Sequence, residues 1–192
     1  MQTTNKKWMS TKELVFAAIM TAFVVVLQLM GGAALFGPFS TAVALVPIVI
    51  GAAMCGTRIG GWLGFVFGMV VLISGQASGF YIYDPAGTII TVLMKGLACG
   101  LVAGLVYRLL EKVNRYLAVV VAAILCPVAN TGVFFLGCLL FFMKYAQEIT
   151  GSPQTGFWAF FWFATGNFVY EVCLNLVLSP IIVRLINIRK KK

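Results

Sequence analysis

Six polar side chains interrupt otherwise apolar stretches of this sequence, and they are the residues best placed to do chemistry. Two are ionisable and four are amides: Lys95, Glu171, Gln28, Asn130, Asn167 and Asn175. A charge in hydrocarbon costs roughly 3 kcal/mol on insertion scales, so such groups normally face a cavity or one another. The set could therefore line a cavity inside the membrane. The alternative is that Lys95 and Glu171 only neutralise each other as a structural pair.

Helical spacing brings part of this set together. Asn167, Glu171 and Asn175 lie four residues apart, so they share one face of a helix. Lys95 is about eight residues from the outer end of its apolar segment, which at 1.5 Å per residue places it about 12 Å below the surface. Lys95 is therefore predicted to line a pocket that opens to the outside.

Catalytic and metal chemistry find little support in the sequence. The chain has no histidine, and its five cysteines lie in apolar runs with no Cys-x-x-Cys pair. A Gly-x-x-x-x-Gly-Lys-Ser/Thr phosphate loop is also missing. We expect no catalytic residue, no metal site, no cofactor and no enzyme activity, so any energy source must come from outside this chain.

The elements that position these residues are membrane helices. Of the 192 residues, 61% are hydrophobic and 10% charged, with a mean hydropathy of +1.02, far from the composition of a soluble domain. The sequence predicts an all-α integral membrane protein, a single domain over 1–192 that forms a compact bundle of six transmembrane helices. The predicted spans are 14–30, 39–55, 59–74, 87–107, 117–143 and 157–186.

The loop charges indicate the orientation of the chain. With the N-terminus inside, the inner segments hold twelve Lys and Arg residues and the outer loops hold only Lys144. This asymmetry predicts cytoplasmic N- and C-termini. The net charge of +9 is then a matter of topology, and we expect no nucleic-acid partner. The outer connections 75–86 and 144–156 are predicted to be loops.

Small residues recur at helical spacing in three of the predicted spans. Gly60, Gly64 and Gly68 form one ladder, and a second follows Gly96 at Gly100 and Gly104. Small side chains four apart let two helices approach closely, and we predict that both ladders pack inside the bundle. The pair Ala18 and Ala22 on the first helix could equally pack inside or offer a face to another protein.

Four stretches of the chain resemble a known family. They are 44–52 (Ala-Leu-Val-Pro-Ile-Val-Ile-Gly-Ala), 60–68 with its glycines, 95–108 from Lys-Gly to Tyr-Arg, and 126–132 (Cys-Pro-Val-Ala-Asn-Thr-Gly). With the basic N-terminus and the Ala18-x-x-x-Ala22 helix, they resemble the substrate-binding S components of energy-coupling factor (ECF) transporters. The resemblance covers nearly the whole chain.

The resemblance implies a plasma-membrane protein that captures a vitamin or related micronutrient outside the cell. It would then dock through Ala18 and Ala22 on a shared transmembrane subunit driven by two ATP-binding cassette ATPases. The family pocket lies near the outer face, with 31–39 as a possible gate. Mapped by position, the implied substrate-binding residues are Tyr81, Tyr83, Asp84, Lys95, Asn130, Trp162, Asn167 and Glu171.

Two questions stay open at the level of sequence. Lys95 near a pocket favours a carboxylate-bearing ligand such as pantothenate or a folate, whereas the aromatic residues suit a ring such as a flavin. The alternative function is a self-sufficient small channel or proton-coupled carrier in which Lys95 and Glu171 form a relay.

Overall fold

The computed structural model describes residues 10–30 and 42–190, and the side chains in these ranges except those of 42, 149, 150, 163, 167 and 185–190. Every regular element in the described ranges is helical. The helices in chain order are α1 (Thr11–Met30), α2 (Ala42–Cys55), α3 (Thr57–Ile73), α4 (Ser78–Tyr81), α5 (Pro85–Leu110), α6 (Arg115–Gly137), α7 (Met143–Thr150) and α8 (Pro153–Lys190). A π-helical turn, Cys138–Phe142, joins α6 to α7.

Four segments of the described chain are long and apolar enough to cross a membrane, which supports a helical membrane protein. They contain α1, α5, α6 and α8. The apolar helices α2 and α3 are shorter, at 14 and 17 residues, and only Gly56 separates them. The predicted connection at 56–58 was therefore too long, because Thr57 and Arg58 already belong to α3.

The two outer connections predicted to be loops are partly helical. The first contains the short helix α4, and the second is occupied largely by α7, which continues from α6 through the π-helical turn. The prediction missed α7 because Lys144 and the polar residues after it break the apolar pattern while remaining compatible with a helix. α7 ends at Thr150 and is followed by Gly151, whose φ of 78° is a left-handed conformation that glycine adopts readily.

Side-chain caps determine where several helices begin. Ser10 and Glu13 form a reciprocal capping box at the start of α1, because each backbone N–H donates to the other's side chain (2.9 and 3.3 Å). Asn114 caps α6 by accepting from the N–H groups of Tyr116 and Leu117. Asp84 caps α5 in the same way. These three caps begin their helices two or three residues before the predicted spans.

α5 lies at the centre of the bundle and packs most extensively against α3 and α6. Its contact with α3 is a glycine-to-glycine contact between backbones. A Cβ on Gly64 would meet the carbonyl of Gly96, and one on Gly60 would meet the carbonyl of Gly100. The two glycine ladders therefore pack within the bundle, as predicted, and they bring α3 and α5 close together.

Candidate functional site

Glu171 on α8 is the centre of a buried hydrogen-bond network. The side-chain amide of Asn130 on α6 donates to both carboxylate oxygens of Glu171, at 3.1 and 3.2 Å. Thr131 Oγ1 donates to the same group at 3.4 Å, and Asn175 Nδ2 donates to the backbone carbonyl of Glu171 at 2.8 Å. Glu171 and Asn175 are fully buried and Asn130 is 1% exposed. Their positions on α6 and α8 fix this network between the two helices.

Lys95 on α5 lies beside this network but faces aromatic rings. Its Nζ is 5.2 Å from the ring centroid of Phe134 and 5.9 Å from that of Phe67, the geometry of cation–π contacts. Glu171 is near enough to interact electrostatically with Lys95. Among the side chains described, the contacts of Lys95 Nζ are these two rings, with no hydrogen bond or direct ion pair.

Lys95 lies farther from the start of its helix than the predicted span implied. α5 begins at Pro85 rather than near Gly87, so Lys95 is ten residues from the first residue of its helix. At 1.5 Å per residue this is about 15 Å, instead of about 12 Å. Because Lys95 is 9% exposed, its charge lies in the interior of the bundle.

Three buried oxygens near this site have no hydrogen-bond partner in the described part of the chain. They are Oδ1 of Asn130, Oδ1 of Asn175 and Oγ1 of Thr91, which lies one helical turn before Lys95 on α5. Thr91 packs on Gly137, where a Cβ would collide with it, so this face of α5 meets α6 next to the π-helical turn. Buried polar groups are usually bonded, so these unpartnered atoms beside a lysine make this region the candidate site.

Aromatic side chains cover the outer side of this cluster. Phe80 of the short helix α4 contacts the ring of Phe134 edge-on, with centroids 5.7 Å apart, and that of Phe142 at 5.0 Å. The π-helical turn positions Phe142 here, and such turns are frequent at functional sites. Lys95, Asn130, Glu171, Thr91, Phe67 and Phe134 are called the central cluster below.

The structure brings together only part of the predicted site. Lys95, Asn130 and Glu171 meet in the central cluster, whereas Trp162 is 67% exposed and belongs to the outer surface of α8. Tyr83 is 40% exposed and pairs with Tyr145 of α7 at 5.1 Å, and Tyr81 packs half-buried against the core. The side chain of Asn167 and the candidate gate 31–39 lie outside the described residues.

Sequence reasoning missed Phe67, Phe134, Thr91 and Thr131. Phenylalanine is common throughout this chain, with 16 copies, so composition gives no reason to select two of them. A signal existed for Phe134, which follows Asn130 by one helical turn and therefore shares its face. Thr131 directly follows Asn130, but only the position of α8 shows that both reach Glu171.

Asp84 has a structural role that accounts for its side chain. Its Oδ1 accepts from the N–H of Gly87 at 2.8 Å, and Pro85 occupies the first turn of α5. We predict that Asp84→Ala lowers the free energy of unfolding by about 1 kcal/mol, because a helix N-cap is lost. Ligand affinity should stay unchanged. Thermal unfolding and ligand titration of the purified protein measure the two effects separately.

Asp84→Asn is the matched control, since asparagine caps a helix about as well as aspartate. It should restore the stability lost in Asp84→Ala. A tenfold loss of affinity in both variants with unchanged stability would instead assign Asp84 to the substrate, as the resemblance implied.

Another polar contact joins the C-terminal end of α1 to the turn after α3. Gln28 Nε2 donates to Gln76 Oε1 at 2.7 Å, and Gln76 Nε2 donates to the backbone carbonyl of Gln28 at 3.4 Å. Gln28 is fully buried, and within the described ranges its Oε1 has no partner. Gln28 therefore acts mainly by fixing the end of α1 to the bundle.

The opposite face of α1 is apolar, and no other helix of the described chain covers it. Ala17, Met20, Val24 and Gln28 are buried against the bundle, whereas Ala18 and Ala22 are exposed. Large exposed apolar residues surround these two alanines: Leu14, Val15, Ile19, Val26 and Leu29. Close approach of another helix is sterically possible at the two alanines, because their side chains are small.

Comparison with known proteins agrees with this architecture. The family model for the ECF transporter, substrate-specific component, matches residues 12–183, which is most of the chain and includes the whole central cluster. No curated protein and no solved structure gives a match. The chain belongs to the substrate-specific components of ECF transporters.

Proposed function

We propose that this chain captures a vitamin or related micronutrient outside the cell and delivers it through a shared ECF transmembrane subunit driven by two ATP-binding cassette ATPases. The observation that carries the proposal is the central cluster. It holds a lysine, a carboxylate and unpartnered polar atoms inside an apolar bundle, where polar groups are costly unless they serve a ligand or one another. Membership of the family supports the substrate-binding role of this chain.

We also propose that the chain crosses the plasma membrane six times, with both of its ends in the cytoplasm. At 1.5 Å per residue, α2 and α3 measure about 21 and about 26 Å. Both are shorter than the hydrocarbon core of roughly 30 Å, so crossing requires local thinning of the bilayer. The charge asymmetry of the connections supports this topology.

The exposed face around Ala18 and Ala22 supports docking on the shared subunit. Lipid provides no hydrophobic driving force between helices, so association depends on close packing at small residues. Both alanines are exposed within the described chain, which leaves this face available to a partner. The substrate site and the docking face therefore lie on different parts of the protein, as a capture subunit requires.

The proposal is tested by the small molecule that the protein carries. The chain is purified in mild detergent and denatured, and the released compound is identified by mass spectrometry. We expect one vitamin-like compound at near-equal stoichiometry. Uptake of this compound into vesicles should require both the ECF module and internal ATP. Flux through vesicles that contain this chain alone would contradict the proposal and favour a channel or carrier.

A further inference from the structure

The charges of the central cluster limit what its ligand can be. Lys95 and Glu171 are the two buried ionisable side chains that carry opposite charges in the described bundle, and they interact electrostatically. Together they are neutral. A ligand carboxylate would leave one uncompensated negative charge in a medium of low dielectric constant, which is strongly unfavourable. Charge balance therefore favours a ligand with no net charge over the carboxylate that Lys95 alone suggests.

The polar atoms of the cluster that lack a hydrogen-bond partner indicate which donors and acceptors a ligand should carry. Glu171 only accepts, so the amide of Asn130 must direct Nδ2 to the carboxylate and leave Oδ1 as an acceptor. Within the described residues this Oδ1 is buried and unpartnered. Lys95 Nζ is a donor that faces rings. Together with the unpartnered hydroxyl of Thr91, the site therefore offers one charged donor, one amide acceptor and one hydroxyl to a ligand.

The two groups lie on the same side of the bundle. Asn130 is one helical turn from Phe134, whose ring is 5.2 Å from Lys95 Nζ, and Asn130 is bonded to Glu171, which acts electrostatically on Lys95. Three aromatic rings provide apolar faces and edges beside Lys95 and Asn130, namely those of Phe67, Phe134 and Phe80. Aromatic rings of this kind pack well on another flat ring.

We infer that the substrate, under the proposed function on which this rests, is a planar ring of zero net charge with a cyclic amide or ureide edge. A carbonyl oxygen on this edge accepts from Lys95 Nζ, and the adjacent N–H donates to Asn130 Oδ1. Such an edge satisfies both groups and leaves the charge pair balanced. The aromatic rings of the cluster pack against the faces of the same ligand.

The first experiment compares neutral ring compounds with compounds that carry a carboxylate. The full chain is titrated in detergent by calorimetry with uracil, lumichrome and riboflavin, which carry a neutral cyclic imide edge, and with orotate, folate and pantothenate, which carry a carboxylate. Orotate is uracil with one added carboxylate and is the matched control. We expect at least one neutral compound to bind, with its preference over the carboxylates at least about tenfold.

Tighter binding of a carboxylate would overturn this inference and leave the proposed capture function standing. Absence of binding by all three neutral compounds at millimolar concentration would overturn it too. The compound released from the denatured protein then tests the proposed function separately, because that measurement assumes no ligand class.

The second experiment tests the donor. Lys95→Met should weaken binding of the preferred neutral compound by about 10- to 100-fold, as expected for a lost hydrogen bond to a charged group. Lys144→Met, at an exposed lysine, is the matched control and should leave affinity unchanged. Lys95→Met leaves the buried negative charge of Glu171 without its opposite charge, which could destabilise the fold. The double variant Lys95→Met with Glu171→Gln restores neutrality, so that its ligand affinity still tests the role of Lys95. Wild-type affinity in the folded double variant would overturn the inference.

Discussion

Replacing Gly100 with leucine should prevent the helical bundle from forming. A Cβ at this position collides with the backbone carbonyl of Gly60 on α3, and no change of rotamer can move a backbone group. Extra methylene groups in a packed core typically cost about 1–3 kcal/mol even when side chains can adjust. Here α3 and α5 would have to separate along their closest contact, so we expect loss of the folded, monodisperse protein.

Gly100→Ala should give a graded result, with a lowered midpoint of thermal unfolding. Gly132 provides the matched control, because it lies exposed on α6 and a Cβ added there would meet no atom within 4 Å. Its substitution by alanine should leave stability unchanged or raise it, since alanine favours helix by about 1 kcal/mol. Size-exclusion chromatography and thermal unfolding in detergent measure both effects. A Gly100→Leu protein that unfolds at the wild-type temperature would refute the close contact.

Replacing both Ala18 and Ala22 with tryptophan should abolish assembly with the ECF module. The two alanines are exposed on the uncovered face of α1, and bulky side chains there would hold a partner helix away. We expect the affinity for the module to fall at least about tenfold, and ATP-dependent uptake to fall with it. Ligand binding should be retained, because the central cluster lies on other helices than α1.

Ala159→Trp is the control for this prediction, since Ala159 is exposed on α8 in the same way. It should assemble and transport normally. Co-purification with the module measures assembly, and calorimetry measures ligand affinity. If the double variant lost ligand binding together with assembly, the change would have damaged the fold, and the docking role of α1 would be withdrawn. Normal assembly of the double variant would contradict that role directly.

Lys95, Asn130 and Glu171 were predictable from the sequence because polar residues are rare within its apolar segments. The glycine ladders were predictable for a similar reason, since residues four apart share a face and small ones allow close helix contact. The structure confirms the packing of these ladders and brings the three polar residues into one cluster. Both predictions used local patterns, which do not require knowledge of the partner helix.

Other residues of the candidate site could not be predicted from local sequence patterns. Trp162 was selected as an aromatic residue near the ligand but lies exposed, while Phe67 contacts Lys95 without any distinguishing sequence feature and Phe134 is marked only by its spacing from Asn130. A helix that is apolar on all sides has no clear period from which to determine its buried face. The direction in which each aromatic side chain points is consequently decided by contacts with other helices.

The sequence alone determined that this is a helical membrane protein, because burial of its apolar segments in lipid depends only on composition and length. It also determined which charges need a partner in the interior. Tertiary structure alone decided that Lys95 faces two rings and that Asn130 directs its amide to Glu171, leaving an acceptor unused. These contacts join residues from separate helices, and their geometry arises only when α3, α5, α6 and α8 pack together.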